Sequence, residues 1–535
     1  MPLTIDASTL KGWLSDGDEI ALIDVREAGQ FGQGHLFFAV PLPYSRFELG
    51  LNALVPKRDV RMVLCDGGQD AVAQRAAKRA EALGYHCVHV LSGGTAAWQR
   101  AGYTLYEGVN VPSKTFGELV EHERHTPRIT AVELDAMRVA GENFVIVDGR
   151  PFGEYQKMNI PGGICCPNGE LVLRIGDIAP DASTKIIVNC AGRTRSIIGA
   201  QTLIDFGVPN PVMALENGTQ GWMLAGLTLE HGASRRHGDR ITGNVAALAE
   251  RARALGESRG VVWVEAEEAQ AWTAGDALRT TYLIDVRTAE EFAASPVPGF
   301  VHAPGGQLVQ ATDQWIGVKG ARILLVDGEG VRAPVIASWL RELGHEACVL
   351  AGGVAAAVAK PWPEIASPSP PPPNTISARE LADALQHEAA ALIDLRPAMS
   401  YRAGHIARAR WSIRPRLVSA VVHVGKTVVL VADAPGIAAL AALDLAEAGC
   451  RDIRLLAEGP QSWRGAGLSV VATPEDPPDA DCIDFLFFTH GRHAGNADDA
   501  RRYLAWETGL IGQLDAQERG AFRIRPGLKG QRHAQ

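Results

Sequence analysis

The stretch VIVDGR at residues 145–150 closes an apolar run with an aspartate and an arginine two positions apart. The pattern recurs at Ala21–Arg26, Leu283–Arg287 and Leu392–Arg396, giving the pairs Asp24/Arg26, Asp148/Arg150, Asp285/Arg287 and Asp394/Arg396. Each run reads as a buried strand that stops on a structural ion pair. A turn comes next, as Gly34-His35, Ile160-Pro161-Gly162-Gly163, Pro298-Gly299 and Gly404-His405-Ile406. A second apolar strand follows at Met62–Leu64, Ile186–Val188, Ile323–Val326 and Val428–Val431. An Ala-rich helical stretch then ends on Gly84, Gly207, Gly344 or Gly449, the residue expected just past a helix C-terminus. Each repeat closes on a short strand and a turn: LSGGTAAW, LENGTQGW, LAGGVAAA and LAEGPQSW.

Strands that alternate with helices imply a parallel sheet covered on both faces. The repeat is far longer than a solenoid repeat, so each copy is a domain. The expected fold is therefore α/β, with four tandem doubly wound parallel-sheet domains at residues 1–108, 126–232, 260–363 and 374–474. A helical extension is expected over 478–535. Gly108–Pro127 reads as a linker with a helix in it, Gly232–Gly260 as a second linker, and Pro368–Pro373 as a stiff polyproline spacer. Phe485, Phe487 and Phe488 open the extension and are expected to pack across a domain seam, because water would leave them costly.

At 535 residues the chain is too long for one core, and its net charge of -9 and pI of 6.0 give no global electrostatic reason to bind nucleic acid or an anionic membrane. No apolar stretch is long enough to span a bilayer. Met1–Trp13 lacks a basic segment followed by an apolar run, and the 8 cysteines include no CxxC pair, so a reducing cytoplasm is the expected setting.

The chemistry concentrates in the second repeat, in Cys190-Ala191-Gly192-Arg193-Thr194-Arg195, with Ser196 opening a helix. A loop between strand end and helix start gathers backbone N–H groups and the positive end of the helix dipole. Two arginines add full charge, and a thiolate is stabilised in such a place. Gly192 lets the loop close tightly. Arg193 or Arg195 is suited to grip a sulfonate through paired donors. Cys190 is accordingly read as a nucleophile, with Ala191, Gly192, Arg193, Thr194, Arg195 and Ser196 lining the anion site.

The other repeats test this reading by spacing. Asp148 to Cys190 is 42 residues and Cys190 to Gly207 is 17, and Asp285, Asp327 and Gly344 give the same two spacings. Asp327 therefore takes the nucleophile position in the third repeat. Ala432 or Asp433 takes it in the fourth. In the first, Cys65 falls at the strand end 41 residues after Asp24, but CDGGQDA carries Asp66 and Asp70 and no arginine, so Cys65 is expected to be inactive. Cys165 and Cys166 read as a packed pair or, alternatively, a resolving thiol. Cys87, Cys348 and Cys450 read as core, and Cys482 has no chemical context. His490 and His493 lack further ligands at metal spacing, so no metal or cofactor is expected.

The D-x-R strand, the GHI or IPG turn, the strand–loop–helix and the final glycine turn, repeated four times in one order, resemble the rhodanese family. The order of elements looks like proteins with four rhodanese modules and a helical extension. The resemblance implies transfer of a sulfane sulfur from a donor such as thiosulfate to cyanide or a thiol, a protein thiol included, through a cysteine persulfide. Two rival readings are weighed beside it. A cysteine phosphatase or arsenate reductase needs C-x5-R, whereas Arg195 gives C-x4-R, a loop one residue too short. A non-catalytic scaffold or sulfur sensor fits the three degraded sites but not the intact loop.

Overall fold

Each repeat folds into its own five-stranded parallel sheet. In domain two the strands are β1 (Arg128–Ile129), β2 (Phe144–Asp148), β3 (Ile164–Cys165), β4 (Lys185–Asn189) and β5 (Val212–Leu215), side by side in the order β1-β5-β4-β2-β3. The sheets of the other domains repeat that order. The computed structural model describes residues 2–69, 71–274, 278–365, 370–421, 426–492 and 495–527. Pro368, Asp70 and His493 lie outside the described residues, as does the side chain of Phe488.

The Asp/Arg pairs explain why the strand ends look alike. In all four domains the arginine chelates its aspartate, as Arg150 does Asp148 through Nε at 2.8 Å and Nη2 at 2.7 Å. The same guanidinium donates to a carbonyl eight residues on, of Gly34, Met158, Ser295 or Gly404. One buried ion pair thus fastens the strand end to the far end of the following helix. The glycines expected past the helix ends have positive φ: 87° at Gly84, 74° at Gly207, 102° at Gly344 and 94° at Gly449. Trp98, Trp222 and Trp463 of the closing turns are buried; domain three has Ala357 there, and Trp362 fills its core instead.

The domains gather into two compact units. One comprises residues 1–14, 20–109 and 366–487, hence domains one and four; the other comprises 15–19, 110–365 and 488–535, hence domains two and three. The extension is therefore shared between the units rather than being a single appendage. In the first unit, Ile483 and Leu486 are buried while Phe485 is half-buried and Phe487 is 37% exposed. The Ile483 carbonyl accepts from Gly29 N–H of domain one, and Asp484 accepts from Ala398 N–H of domain four. Backbone, the Asp484 carboxylate and Leu486 over Gly32 make seam contacts, and the Phe487 ring lies 5.9 Å from the Arg402 guanidinium of domain four. Cys87 is exposed, contrary to the core reading; Cys348 is buried and Cys450 partly so.

In the second unit, the linker holds the helix Val111–Arg124, and a second helix, Val245–Ser258, precedes domain three. Domains two and three meet reciprocally. A Cβ on Gly169 would come within 2.9 Å of the Gly306 nitrogen, and a Cβ on Gly306 within 2.9 Å of the Gly169 nitrogen. These glycines occupy the same position of their repeats, 21 residues after Asp148 and Asp285. A contact of i with j and of j with i marks a local two-fold axis.

Candidate active site

Sheet register decides which residue of each repeat stands at the nucleophile position. Asp148 pairs with Asn189 across β2 and β4, and Cys190 is the next residue, outside the carboxyl end of a central strand where open α/β sheets place their ligands. Asp24 pairs with Cys65, Asp285 with Val326 and Asp394 with Val431. The residues that match Cys190 are therefore Asp66, Asp327 and Ala432. Cys65 corresponds to Asn189, one residue short of the position. The backbone agrees: Thr219, Thr95 and Val354 N–H donate to the carbonyls of Cys190, Asp66 and Asp327. The spacing of 41 rather than 42 residues was thus the signal that Cys65 is not the equivalent thiol.

What the loop does to an anion is visible in the degraded copies. In domain three the Asp327 carboxylate accepts from the N–H groups of Gly330 at 3.1 Å, Val331 at 2.8 Å and Arg332 at 2.7 Å. In domain one Asp66 accepts from Gly68 at 2.7 Å and Ala73 at 2.9 Å. In domains one and three the degraded loop holds its own anion in its own N–H groups. In domain two the matching donors are Arg193, Thr194 and Arg195, at the start of the helix Thr194–Phe206, whose N-cap residue Arg193 makes no side-chain capping bond. The loop carbonyls face elsewhere: Cys190 and Ala191 accept from Thr219 and Gln220 N–H, and Ala191 also from Gln220 Nε2 at 2.9 Å. Asp327→Ala is expected to cost about 0.5–2 kcal/mol of stability, as loss of a capping carboxylate does, read by thermal unfolding.

The loop side chains are committed to three elements outside domain two. Arg193 is gripped from the linker helix by Glu118, at 2.6 and 2.8 Å, and by Glu121. Thr194 Oγ1 donates to Glu507 Oε1 at 2.7 Å, on the extension helix Ala497–Gly509. Arg195 pairs with Glu154 at 2.9 and 2.8 Å and reaches Gln307 of domain three at 3.3 Å. Ser196 Oγ donates to the Arg193 carbonyl at 2.8 Å. Gly192 sits so close to Gln220 and Glu507 that a Cβ would lie 3.2 Å from each. Asn168 Nδ2 holds the Arg195 carbonyl at 2.8 Å. Glu118, Glu121, Glu154, Asn168, Gln307 and Glu507 were not singled out from sequence.

Of the two arginines read as suited to grip a sulfonate, Arg193 has its guanidinium committed to carboxylates. Arg193 is buried between two carboxylates and reads as an anchor of the loop. Burial pushes the Glu118 carboxyl up to about 7 against the pull of Arg193. Arg193→Ala should destabilise the protein by about 3–5 kcal/mol, because it strands buried carboxylate charge. A carboxyl raised in the folded state adds stability below its unfolded value and loses it as pH rises through the folded one. The loss should therefore be greater at pH 8 than at pH 6, a difference that denaturation at the two pH values reads directly.

Cys65, Cys165 and Cys166 lie in poor surroundings for a nucleophile. Burial, then Asp24, pushes Cys65 well above the ordinary thiol range. Burial pushes Cys165 up to about 12 and Cys166 well above the ordinary range, which favours a packed pair over a resolving thiol. Among the described residues no group of three or more His, Cys, Asp or Glu could hold a metal, and no helix is long and apolar enough to cross a membrane.

A five-stranded parallel sheet of one strand order, built four times, with a Cys-led loop at the end of a central strand in the second copy, defines the class. The family model described as rhodanese-like domain matches residues 6–101, 130–225, 265–360 and 377–466, and the chain belongs to that family. It is similar to a crystal structure of thiosulfate sulfurtransferase from Pseudomonas aeruginosa, with 41% identity, 98% of this chain and 100% of that one covered, and a TM-score of 0.89. It is also similar to 3-mercaptopyruvate sulfurtransferase of Escherichia coli K12, 26% identical over an alignment of 254 residues, with 37% of this chain and 88% of that protein covered. An HTH-type transcriptional regulator of Mycobacterium tuberculosis matches at 37% identity over 111 residues; the chain spans 48% of its length, about half.

Proposed function

We propose that this protein is a sulfurtransferase that carries a sulfane sulfur on Cys190. The donor is thiosulfate or a related persulfide, and the acceptor is cyanide or a thiol, including a protein thiol. The Cys190 thiolate attacks the outer sulfur of thiosulfate. A new S–S bond forms, the S–S bond of thiosulfate breaks, and sulfite leaves with the electron pair. The acceptor then attacks the outer sulfur of the persulfide and releases the Cys190 thiolate.

The observation that supports this reading is the comparison of loops. Asp327 and Asp66 fix their carboxylates in the N–H groups of their own loops, while domain two has a thiol at that position and no carboxylate. The matching N–H groups of Arg193, Thr194 and Arg195 are suited to a persulfide or a sulfonate, both anions. Arg195 is the side-chain charge closest in role to the sulfur: burial works to lower its pKa, and Glu154, Cys190 and Asp148 together raise it. The eight thiols, none of them in a disulfide, suit a reducing, cytoplasmic setting. The sequence similarity to the Pseudomonas aeruginosa enzyme favours thiosulfate over 3-mercaptopyruvate. Thiosulfate-dependent thiocyanate formation by purified protein tests the reading. Purified, folded protein that forms none would leave the scaffold or sulfur-sensor reading in its place.

A further inference from the structure

Arg195 and Arg332 are the same residue of the repeat, five positions after Cys190 and Asp327. They also hold equivalent places across the local two-fold axis. Within its own domain each pairs with the matching glutamate, Arg195 with Glu154 and Arg332 with Glu291 at 2.5 and 2.9 Å. Each also reaches over the seam to the residue 22 positions after the partner domain's strand-end aspartate. For Arg332 that residue is Glu170, at 2.9 Å; for Arg195 it is Gln307, at 3.3 Å.

The exchange is symmetrical in position but not in charge. Arg332 faces three carboxylates, Glu170, Glu291 and Glu329, the last at 2.6 Å, and its side chain is fully buried. Arg195 has one carboxylate partner among the described residues, Glu154, and its side chain keeps 12% exposure. Across the seam it meets an amide oxygen, which satisfies the hydrogen bond and adds no second negative charge to that of Glu154. The asymmetry matches the loops. In domain three Asp327 already brings an anion to the N–H groups; in domain two Cys190 stands at that position, five residues before Arg195.

We propose that Gln307, supplied by domain three, is a specificity-determining residue of the domain-two site. Because it is neutral where Glu170 is charged, it leaves the field of Arg195 available to an anionic sulfur donor. The inference rests on the reading of Cys190 as the sulfur carrier and adds to it a role for a domain that has no thiol at the nucleophile position.

The test uses the full-length chain and single-turnover loading of Cys190 by thiosulfate, followed by mass spectrometry. Gln307→Glu recreates across the seam what Glu170 does to Arg332. It is expected to slow loading at sub-saturating thiosulfate at least about fivefold without lowering the melting temperature, since it adds an ion pair. The gap from wild type should narrow in 0.5 M salt, roughly as screening shortens the reach of an exposed charge. Gln307→Met, neutral and of similar length, should slow loading less than Gln307→Glu does. Equal losses in the two variants would assign Gln307 to packing and overturn the inference. So would a Gln307→Glu variant that loads as fast as wild type. Wild-type protein that takes no sulfur onto Cys190 would instead overturn the functional reading beneath it, a result distinguishable from both.

Discussion

Cys190→Ser is expected to abolish sulfur loading, with thiosulfate-dependent thiocyanate formation falling by at least about a thousandfold, because the covalent carrier is lost outright. Cys65→Ser should keep most of the activity. The argument for the contrast is positional before it is electrostatic. Cys65 pairs with Asp24 inside the sheet, where Asn189 stands in domain two, and its carbonyl accepts from Val25 N–H beside that strand. Asp66, the true counterpart of Cys190, has its carboxylate on the loop N–H groups, so that site already holds an anion. Burial and Asp24 then make the Cys65 thiolate costly. Mass spectrometry after thiosulfate treatment decides: one added sulfur atom on Cys65 with none on Cys190 would sink the assignment.

The fold was legible because its signals are local. An aspartate and an arginine two apart, a glycine past a helix and a tryptophan after a turn each sit within a few residues of what they stabilise, and four copies remove the ambiguity of any one. The position of Cys190 at a strand end and helix start was legible for the same reason. The slot in domain one was misread, because Cys65 lies a single residue from the position and only strand pairing separates the two. The partners of the arginines were not legible for a different reason. Sequence shows two positive charges next to a cysteine but not which carboxylates reach them. The partners of Arg193 are 75 and 72 residues away, on a linker helix; Gln307 is 112 residues from Arg195, and Glu507 is 313 from Thr194. Long-range neutralisation has no periodic signature.

The same facts give the degraded domains a physical meaning. In domains one and three an aspartate stands at the Cys190 position and caps the N–H groups of its own loop, which retains the helix start without a thiol. Domain three retains the fold and contributes Gln307 and the glycine-to-glycine contact beside the domain-two site. The loop of domain two is consequently not a property of domain two alone: three consecutive residues, Arg193, Thr194 and Arg195, are held by the linker helix, the extension and domain three in turn.

Glu507→Ala should show how much that outside support matters, with an expected loss of about 3–5 kcal/mol in stability and a fall in sulfur loading together. Glu507 is fully buried, and its Oε1 accepts from both Thr194 Oγ1, at 2.7 Å, and Lys114 Nζ, at 3.2 Å. Burial works to raise its carboxyl, and Lys114 and Thr194 hold it below the usual range. Truncation strands the buried Lys114 ammonium and removes the acceptor that fixes Thr194 at the first position of the helix behind Cys190. The two effects separate in a double variant. Lys114→Met with Glu507→Met replaces a buried ion pair by apolar side chains, a change that is often neutral or stabilising. It should recover most of the melting temperature while loading of Cys190 stays slow, because Thr194 still lacks its acceptor. Glu507→Gln, which keeps an oxygen for Thr194 but not the charge for Lys114, should give the reverse: lower stability with loading closer to wild type. If the double variant restores stability and loading alike, Glu507 serves the fold alone and the extension does not shape the active loop.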